Sequence, residues 1–378
     1  MPTLDPSLYT VAWIAPLEIE VQAALQMLDR IHLGRFPISA GDKYVYHAGE
    51  ICGHNVIIAT FAAGQPYGTN SATSLASHVR HYFRNLRFGL LVGVAAGLPD
   101  LDYDPPRDIR LGDVLVALPD GDYPAILPYG LGKQIGANKF KLLRDGHSLP
   151  QTEPIVGSAI GKIKAIEQEA KIILGYYKEV IQKAPKFSDP GQEKDLFDPS
   201  SNALRTLREH RPHDKRTRVW YGSIGSGDKL LKCSEVGDDL RKKYHVIGLE
   251  MEAAGVLSEI PVGNIRGVCD YGDERKNKDW QPYAAVMAAA YAKAVLSEIP
   301  PKTPAHLVTL KSEPTWKHLL RGEDKHCMKQ LMSTMERPET VLRRLEDTKG
   351  GLLDDAFRWV LDNSEFQKWR NNPQSQLL

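Results

Sequence analysis

The chain is short of most features that mark a specialised class. It has four cysteines in 378 residues, Cys52, Cys233, Cys269 and Cys327. None forms a CxxC pair or a pattern with histidine, so neither a zinc site nor a disulfide framework is expected, and a reducing compartment fits. An excess of either charge is also missing. The net charge is +1, which gives no electrostatic reason to expect nucleic acid or an anionic membrane as a partner. No apolar run approaches the roughly eighteen residues of a membrane-spanning helix. The opening MPTLDPSLYT has neither a basic stretch nor an apolar core, so it does not read as a signal peptide and the cytosol is the default location. Gly130-Leu131-Gly132-Lys133 lacks the Walker spacing and is not read as a phosphate loop.

What is present is enough apolar residue, 42%, for one large domain with an appendage. The organising stretch is Val246–Gly255, VIGLEMEAAG. Val246–Leu249 predicts a short buried strand, followed by Glu250 and Glu252 on either side of Met251. Residues i and i+2 of a strand share a face. Two carboxylates among apolar neighbours are costly unless they bind something. The alternative is a helix start whose acids favour the dipole. About twenty residues on, Asn264–Cys269 predicts another strand, with Asp270 at its end and Tyr271-Gly272-Asp273 turning away. In open α/β sheets ligands bind beyond the carboxyl ends of strands, so these acids form one constellation.

The remaining elements follow in order. Tyr9–Ala15 reads as a buried strand stopped by Pro16, and Leu17 to Arg30 repeats apolar residues at helical spacing. Glu20 then stands at a strand-to-helix junction. Residues 44–61 read as a hairpin or two strands, with His47-Ala48-Gly49 and Cys52–Asn55 as turns. Gly68-Thr69-Asn70 leads into a helix to about Arg84, with Thr69 or Asn70 as cap. A glycine turn feeding a helix N-terminus suits an anion, and is equally an ordinary loop. Phe88–Gly97 is a strand whose end, Gly93, Ala95, Ala96 and Gly97, would admit a flat ring close to the backbone. Leu111–Ala117 is the next strand. Ile160 to Ile181 has helical spacing, and Pro185–Pro199 is loop-like. After Asp270 comes a mixed charge run holding Lys276 and Lys278. Such runs are usually solvated, but these lysines leave the sheet beside Asp270 and are candidate phosphate contacts. Ala284–Ser297 is an Ala-rich helix, and Ile299–Pro304 a proline-rich boundary.

LEMEAAG followed by RGVCDYGD resembles the nucleoside phosphorylase superfamily, which includes the methylthioadenosine/S-adenosylhomocysteine nucleosidases. The resemblance covers about residues 8–298, interrupted by an insertion at about 120–212 that flanks or covers the site. It implies an α/β fold: a single three-layer domain with a mixed central sheet flanked by helices, over residues 1–299. Residues 300–346 would be a linker. Residues 347–378, with LLDDAFRW and EFQKWR, resemble the helical segment before the NTPase domain of filamentous-fungal NOD-like receptors, where such a domain is often N-terminal. An amphipathic tail packed on the main domain is the plainer reading.

The resemblance also implies roles. Glu252 would hold the ribose hydroxyls with Glu250 behind it, and Met251 would pack beneath the sugar. Asp270 would protonate the departing purine. Pro16-Leu17-Glu18-Ile19-Glu20-Val21 matches the nucleosidases' acid-rich turn and places Glu20 as the water-activating base. Ala95, Ala96 and Gly97 match the purine-side turn, and Gly68, Thr69 and Asn70 the start of a helix near the ribose 5′ substituent. Ser226-Gly227-Asp228 matches a further turn. Leu230 and Leu231 match residues against the purine, with Leu230 in place of a common phenylalanine. The phosphorylases hold phosphate with an arginine after the first strand. A carboxylate there repels phosphate and can deprotonate water, so hydrolysis is expected. Adenine nucleotides, ATP first, are the expected substrate. Phosphorolysis, methylthioadenosine cleavage and a catalytically silent sensing or oligomerisation domain are the alternatives. No cofactor or metal is expected, apart from Mg2+ arriving with a nucleotide. The partners expected are a small-molecule purine nucleotide or nucleoside and further copies of the chain, with no nucleic acid or membrane.

Overall fold

The computed structural model describes residues 2–39, 41–130, 132–136, 139–142, 152–197, 206–228, 234–273 and 278–301. In chain order the strands are β1 (Val11–Ile14), β2 (Arg30–Ile31), β3 (His47–Ile51), β4 (His54–Ala59), β5 (Phe88–Gly97), β6 (Val114–Ala117), β7 (Ile126–Pro128), β8 (Gly132–Gly136), β9 (Lys139–Leu142), β10 (Leu196–Phe197), β11 (Thr206–Leu207), β12 (Val219–Gly222), β13 (Ile224–Ser226), β14 (Gly248–Glu250) and β15 (Val262–Asp270). The helices are α1 (Glu18–Gln26), α2 (Thr69–Tyr82), α3 (Pro154–Ala165), α4 (Glu169–Lys183), α5 (Ser234–Tyr244), α6 (Ala253–Leu257) and α7 (Gln281–Glu298).

β5 is apolar with little alternation, and both faces of β5 and β15 are buried, as in the middle of an α/β sheet. They pair in parallel at the centre of a mixed sheet ordered β12-β6-β15-β5-β1-β4-β3-β2, with β7, β13 and β14 branching from it. β1 is parallel to both β4 and β5, whereas β6 runs antiparallel to β15, and β14 antiparallel to β5. The expected α/β fold, a mixed sheet flanked by helices, is the fold observed.

α7 lies on β5 and β15, and α1, α3 and α4 pack against it. Its helix is buried along nearly its whole length, from Tyr283 to Leu296. The alanines allow this close approach, and Gly267 on β15 completes it. A Cβ at Gly267 would lie 1.9 Å from the Ala284 carbonyl oxygen. Gly267→Ala is therefore expected to push α7 off the sheet and destabilise the domain by about 1–3 kcal/mol. An unchanged melting temperature would show that the contact yields without cost.

Three expectations need correction. His47-Ala48-Gly49 is not a turn but the start of β3; the turn is at Cys52-Gly53, where both residues have positive φ. The helical stretch of 160–181 is two helices, α3 and α4, parted where Glu167 takes φ +50°. α2 is capped by Gly68 rather than Thr69 or Asn70. The linker and the C-terminal helical segment proposed for 300–378 lie outside the described residues from Lys302 onward. Among the described residues, no helix is long and apolar enough to cross a membrane.

Candidate active site

β1 delivers the chain to Pro16, and α1 begins two residues later, so Glu20 falls in the first helical turn. Its side chain does not point to solvent. Oε2 accepts from the Leu17 N–H at 2.7 Å, and Oε1 accepts from the Val94 N–H of β5 at 2.8 Å. The carboxyl is thus held by two backbone amides and is 3% exposed. Burial pushes its pKa from 4.5 up to about 7, against the pull of Arg266 and the two amides.

Opposite it lies Arg266, fully buried on β15. Gly267 faces α7, so its neighbour Arg266 projects to the other side of the sheet. Its Nε donates to Asn264 Oδ1 at 2.8 Å. Nη2 donates to Glu250 and, at 3.4 Å, to Glu252, while Nη1 stands 4.0 Å from Glu20 Oε1. One guanidinium therefore meets three carboxylates, and the cluster is anionic when all ionise. Burial pushes Glu252 up to about 8, with Arg266 opposing. Gly93, paired with Arg266 in the sheet, makes the room: a Cβ there would lie 2.2 Å from Glu20 Oε1 and 2.7 Å from Arg266 Nη1. The space expected beside Gly93 for a flat ring is filled by these two side chains.

Glu250 and Glu252 do converge, but not by strand alternation. β14 ends at Glu250, and Glu252 is the cap of the short helix α6. Glu250 accepts from the Glu252 and Ala253 amides at 3.0 and 2.9 Å, so it braces the turn that presents Glu252.

These groups form the buried floor of a cavity of about 560 Å³. Met251, Ala95 and Ala96 line it. Its rim holds exposed Glu18, Tyr67 and Lys278. Other expected residues stand elsewhere. Gly97 pairs with Gly248 and packs toward Val268 and Ile109, away from the lining. Asp270 is buried at the end of β15. A bulge at Cys269 puts Asp270 in register with Ala96, and Cys269 takes the place on the wall. The Asp270 carboxyl accepts from the Gly272 N–H at 2.9 Å and from the Cys269 thiol at 3.1 Å.

Gly68, Thr69 and Asn70 also stand off the lining. Thr69 donates through its N–H and hydroxyl to Asp228 Oδ1 at 2.5 and 2.8 Å. The anion position at the α2 N-terminus is therefore taken by a carboxylate of the chain itself, and a phosphate there would meet like charge. Leu230, Leu231 and Lys276 lie outside the described residues. Among the described residues, no group of three or more His, Cys, Asp or Glu is arranged to hold a metal ion.

Sequence reasoning passed over Arg266, Tyr129 and Gln281, the last two on the cavity wall. A signal for Arg266 was there: a charge inside the apolar run NIRGVC is rarely buried unless paired. Tyr129 follows the short strand β7 and had no such mark.

No family model matches the chain. A nucleotide-binding leucine-rich repeat (NLR)-like protein of Hyaloscypha variabilis is 34% identical over 313 residues, 80% of this chain; the chain spans 30% of that protein's length. The 5′-methylthioadenosine/S-adenosylhomocysteine nucleosidase of Mycobacterium bovis is 23% identical over 267 residues, covering 68% of this chain and 86% of that protein. Among solved structures, the corresponding nucleosidase of Neisseria meningitidis, in complex with methylthio-immucillin-A, aligns with TM-score 0.49 and 17% identity over 77% of this chain and 99% of that one. With LEMEAAG–RGVCDYGD, these sequence relatives identify a nucleoside phosphorylase/nucleosidase-like domain in this chain, which is similar to a fungal NLR-like protein.

Proposed function

We propose that this domain is a purine nucleosidase that hydrolyses the N-glycosidic bond of adenine nucleotides, ATP foremost, within a receptor-type defence protein. The observation that carries the reading is the Glu20 carboxyl, buried on the cavity floor, with a pKa near 7. A general base works best when its pKa lies near the operating pH. Glu20 takes the proton of the attacking water, and Glu252, braced by Glu250, takes the ribose hydroxyls over Met251. The bond breaks through a cationic ribosyl group, and the excess of carboxylate around Arg266 favours that developing charge. Asp270, in register with Ala96 of the cavity lining, gives the proton to the leaving purine.

The same carboxylates disfavour phosphate as nucleophile. Arg266 stands 4.0 Å from Glu20, and its guanidinium is already engaged by Glu250 and Glu252. With Asp228 at the start of α2, the substrate phosphates are directed to the rim, where Lys278 stands. The fungal NLR-like relative supports the receptor setting, and the mycobacterial nucleosidase supports the chemistry.

The test is chromatography of products from ATP, AMP, adenosine and methylthioadenosine, each with and without phosphate. Adenine is expected without phosphate, and fastest from ATP. Strict dependence on phosphate, with a sugar 1-phosphate as product, would overturn hydrolysis. Faster cleavage of methylthioadenosine would overturn the substrate assignment.

A further inference from the structure

We propose that the hairpin β10–β11 acts on catalysis, with Asp195, Phe197 and Arg208 clamping Tyr271 and so positioning Asp270. The inference rests on Asp270 being the proton donor to the leaving base. Tyr271 directly follows Asp270, and its side chain is held from three sides. Its hydroxyl donates to Asp195 Oδ1 at 2.6 Å and accepts from Arg208 Nη2. Its ring meets that of Phe197 at 5.1 Å between centroids, and the Arg208 guanidinium lies over both rings, 4.8 Å from Phe197 and 5.5 Å from Tyr271. Burial beside Asp195 keeps the hydroxyl protonated, so it remains a donor.

The clamp is itself anchored. Arg208 donates to Asp195 at 3.1 Å and, from Nη1, to Asp108 Oδ1 at 3.0 Å and the Ile109 carbonyl at 2.9 Å. Those partners precede β6, so the hairpin is tied to the sheet scaffold as well as to Tyr271. On the other side, the Asp270 carboxyl is fixed by the Gly272 N–H, in a turn where Gly272 has φ +69°. Tyr271 is the middle of that turn. With its ring and hydroxyl fixed, the turn cannot roll, and the Asp270 carboxyl keeps one orientation at the end of β15. Asp195 and Arg208 are largely withdrawn from water, paired with each other and both bonded to the Tyr271 hydroxyl. That placement is costly, and it is made at the residue next to the proposed acid.

Tyr271→Phe keeps the ring and removes the hydroxyl, and Asp195→Asn weakens the same contact from the hairpin side. Both are made in the full chain and again in an Asp270→Asn background, with kcat and KM for adenine release and the melting temperature measured. Each variant alone is expected to lower kcat about tenfold, the worth of one charge-assisted hydrogen bond, with KM within about twofold. In the Asp270→Asn background the further loss is expected to be below about twofold, because residues acting through one another are not additive. An equal loss in both backgrounds, or none in either, overturns the clamp. Near-normal turnover of Asp270→Asn alone would instead overturn the role of Asp270. Should Tyr271→Phe fail to fold, Asp195→Asn decides.

Discussion

Replacing Glu20 with glutamine is expected to lower adenine release by about 10²–10⁴-fold, the range for a general base. It should also erase a feature of the pH profile. Glu20 is a base only when ionised, and burial holds its pKa near 7, so kcat/KM of the native chain should fall as pH drops through about 7. The glutamine variant should show no such limb. The substitution has a modest structural cost. Glu20 accepts from two amides, of Leu17 and Val94; a glutamine presents one oxygen and one N–H group, so one amide loses its acceptor, at about 1–3 kcal/mol. A variant that melts slightly early yet turns over normally would remove Glu20 from the chemistry.

The largest stability effect is expected at Arg266. Arg266→Met keeps a long side chain and removes the charge that faces Glu20, Glu250 and Glu252. Removing one partner of a buried ionic cluster leaves the others uncompensated, typically at about 3–5 kcal/mol. The sign of the pH dependence follows from the raised carboxyls. Glu20 and Glu252 have folded pKa values of about 7 and 8 against an ordinary 4.5. Between those limits the folded chain holds more protons than the unfolded one, so their contribution to stability falls as pH rises through that window. The Arg266→Met deficit should therefore be smaller near pH 5, where Glu20 and Glu252 are protonated, than above pH 8. Denaturant unfolding at the two pH values measures it. A deficit below about 1 kcal/mol, or one equal at both pH values, would mean the cluster does not depend on its cation.

Much of this is legible in the sequence. A continuous apolar run announced β5, and the acids at strand ends announced the side of the sheet that matters. The gathering of Glu20, Glu250, Glu252 and Met251 around one cavity followed from that placement. What escaped were relations set by tertiary packing. Nothing local in Gly68-Thr69-Asn70 reveals that Asp228, more than 150 residues away, occupies its amide. The bulge that gives Cys269 the wall position adds one residue to an otherwise regular strand, and no periodicity records it. Glu252 looked like a strand neighbour of Glu250 because both fit a two-residue repeat. Its real position, capping α6, depends on how the chain turns to meet α2.

The register of β5 has a further consequence. Ala96 pairs with Asp270 on one side and with Leu249, next to Glu250, on the other. Two motifs some twenty residues apart are thus measured against a single backbone position, as two scales are read against one ruler. Their separation is set by main-chain hydrogen bonds and does not depend on the length of any loop. The long segment from 120 to 212 enters the chain between β6 and β12, and the pairing of β5 with β14 and β15 does not run through it. Such a scaffold can gain outer segments and exchange cavity side chains while the interval between Asp270 and Glu250 stays constant.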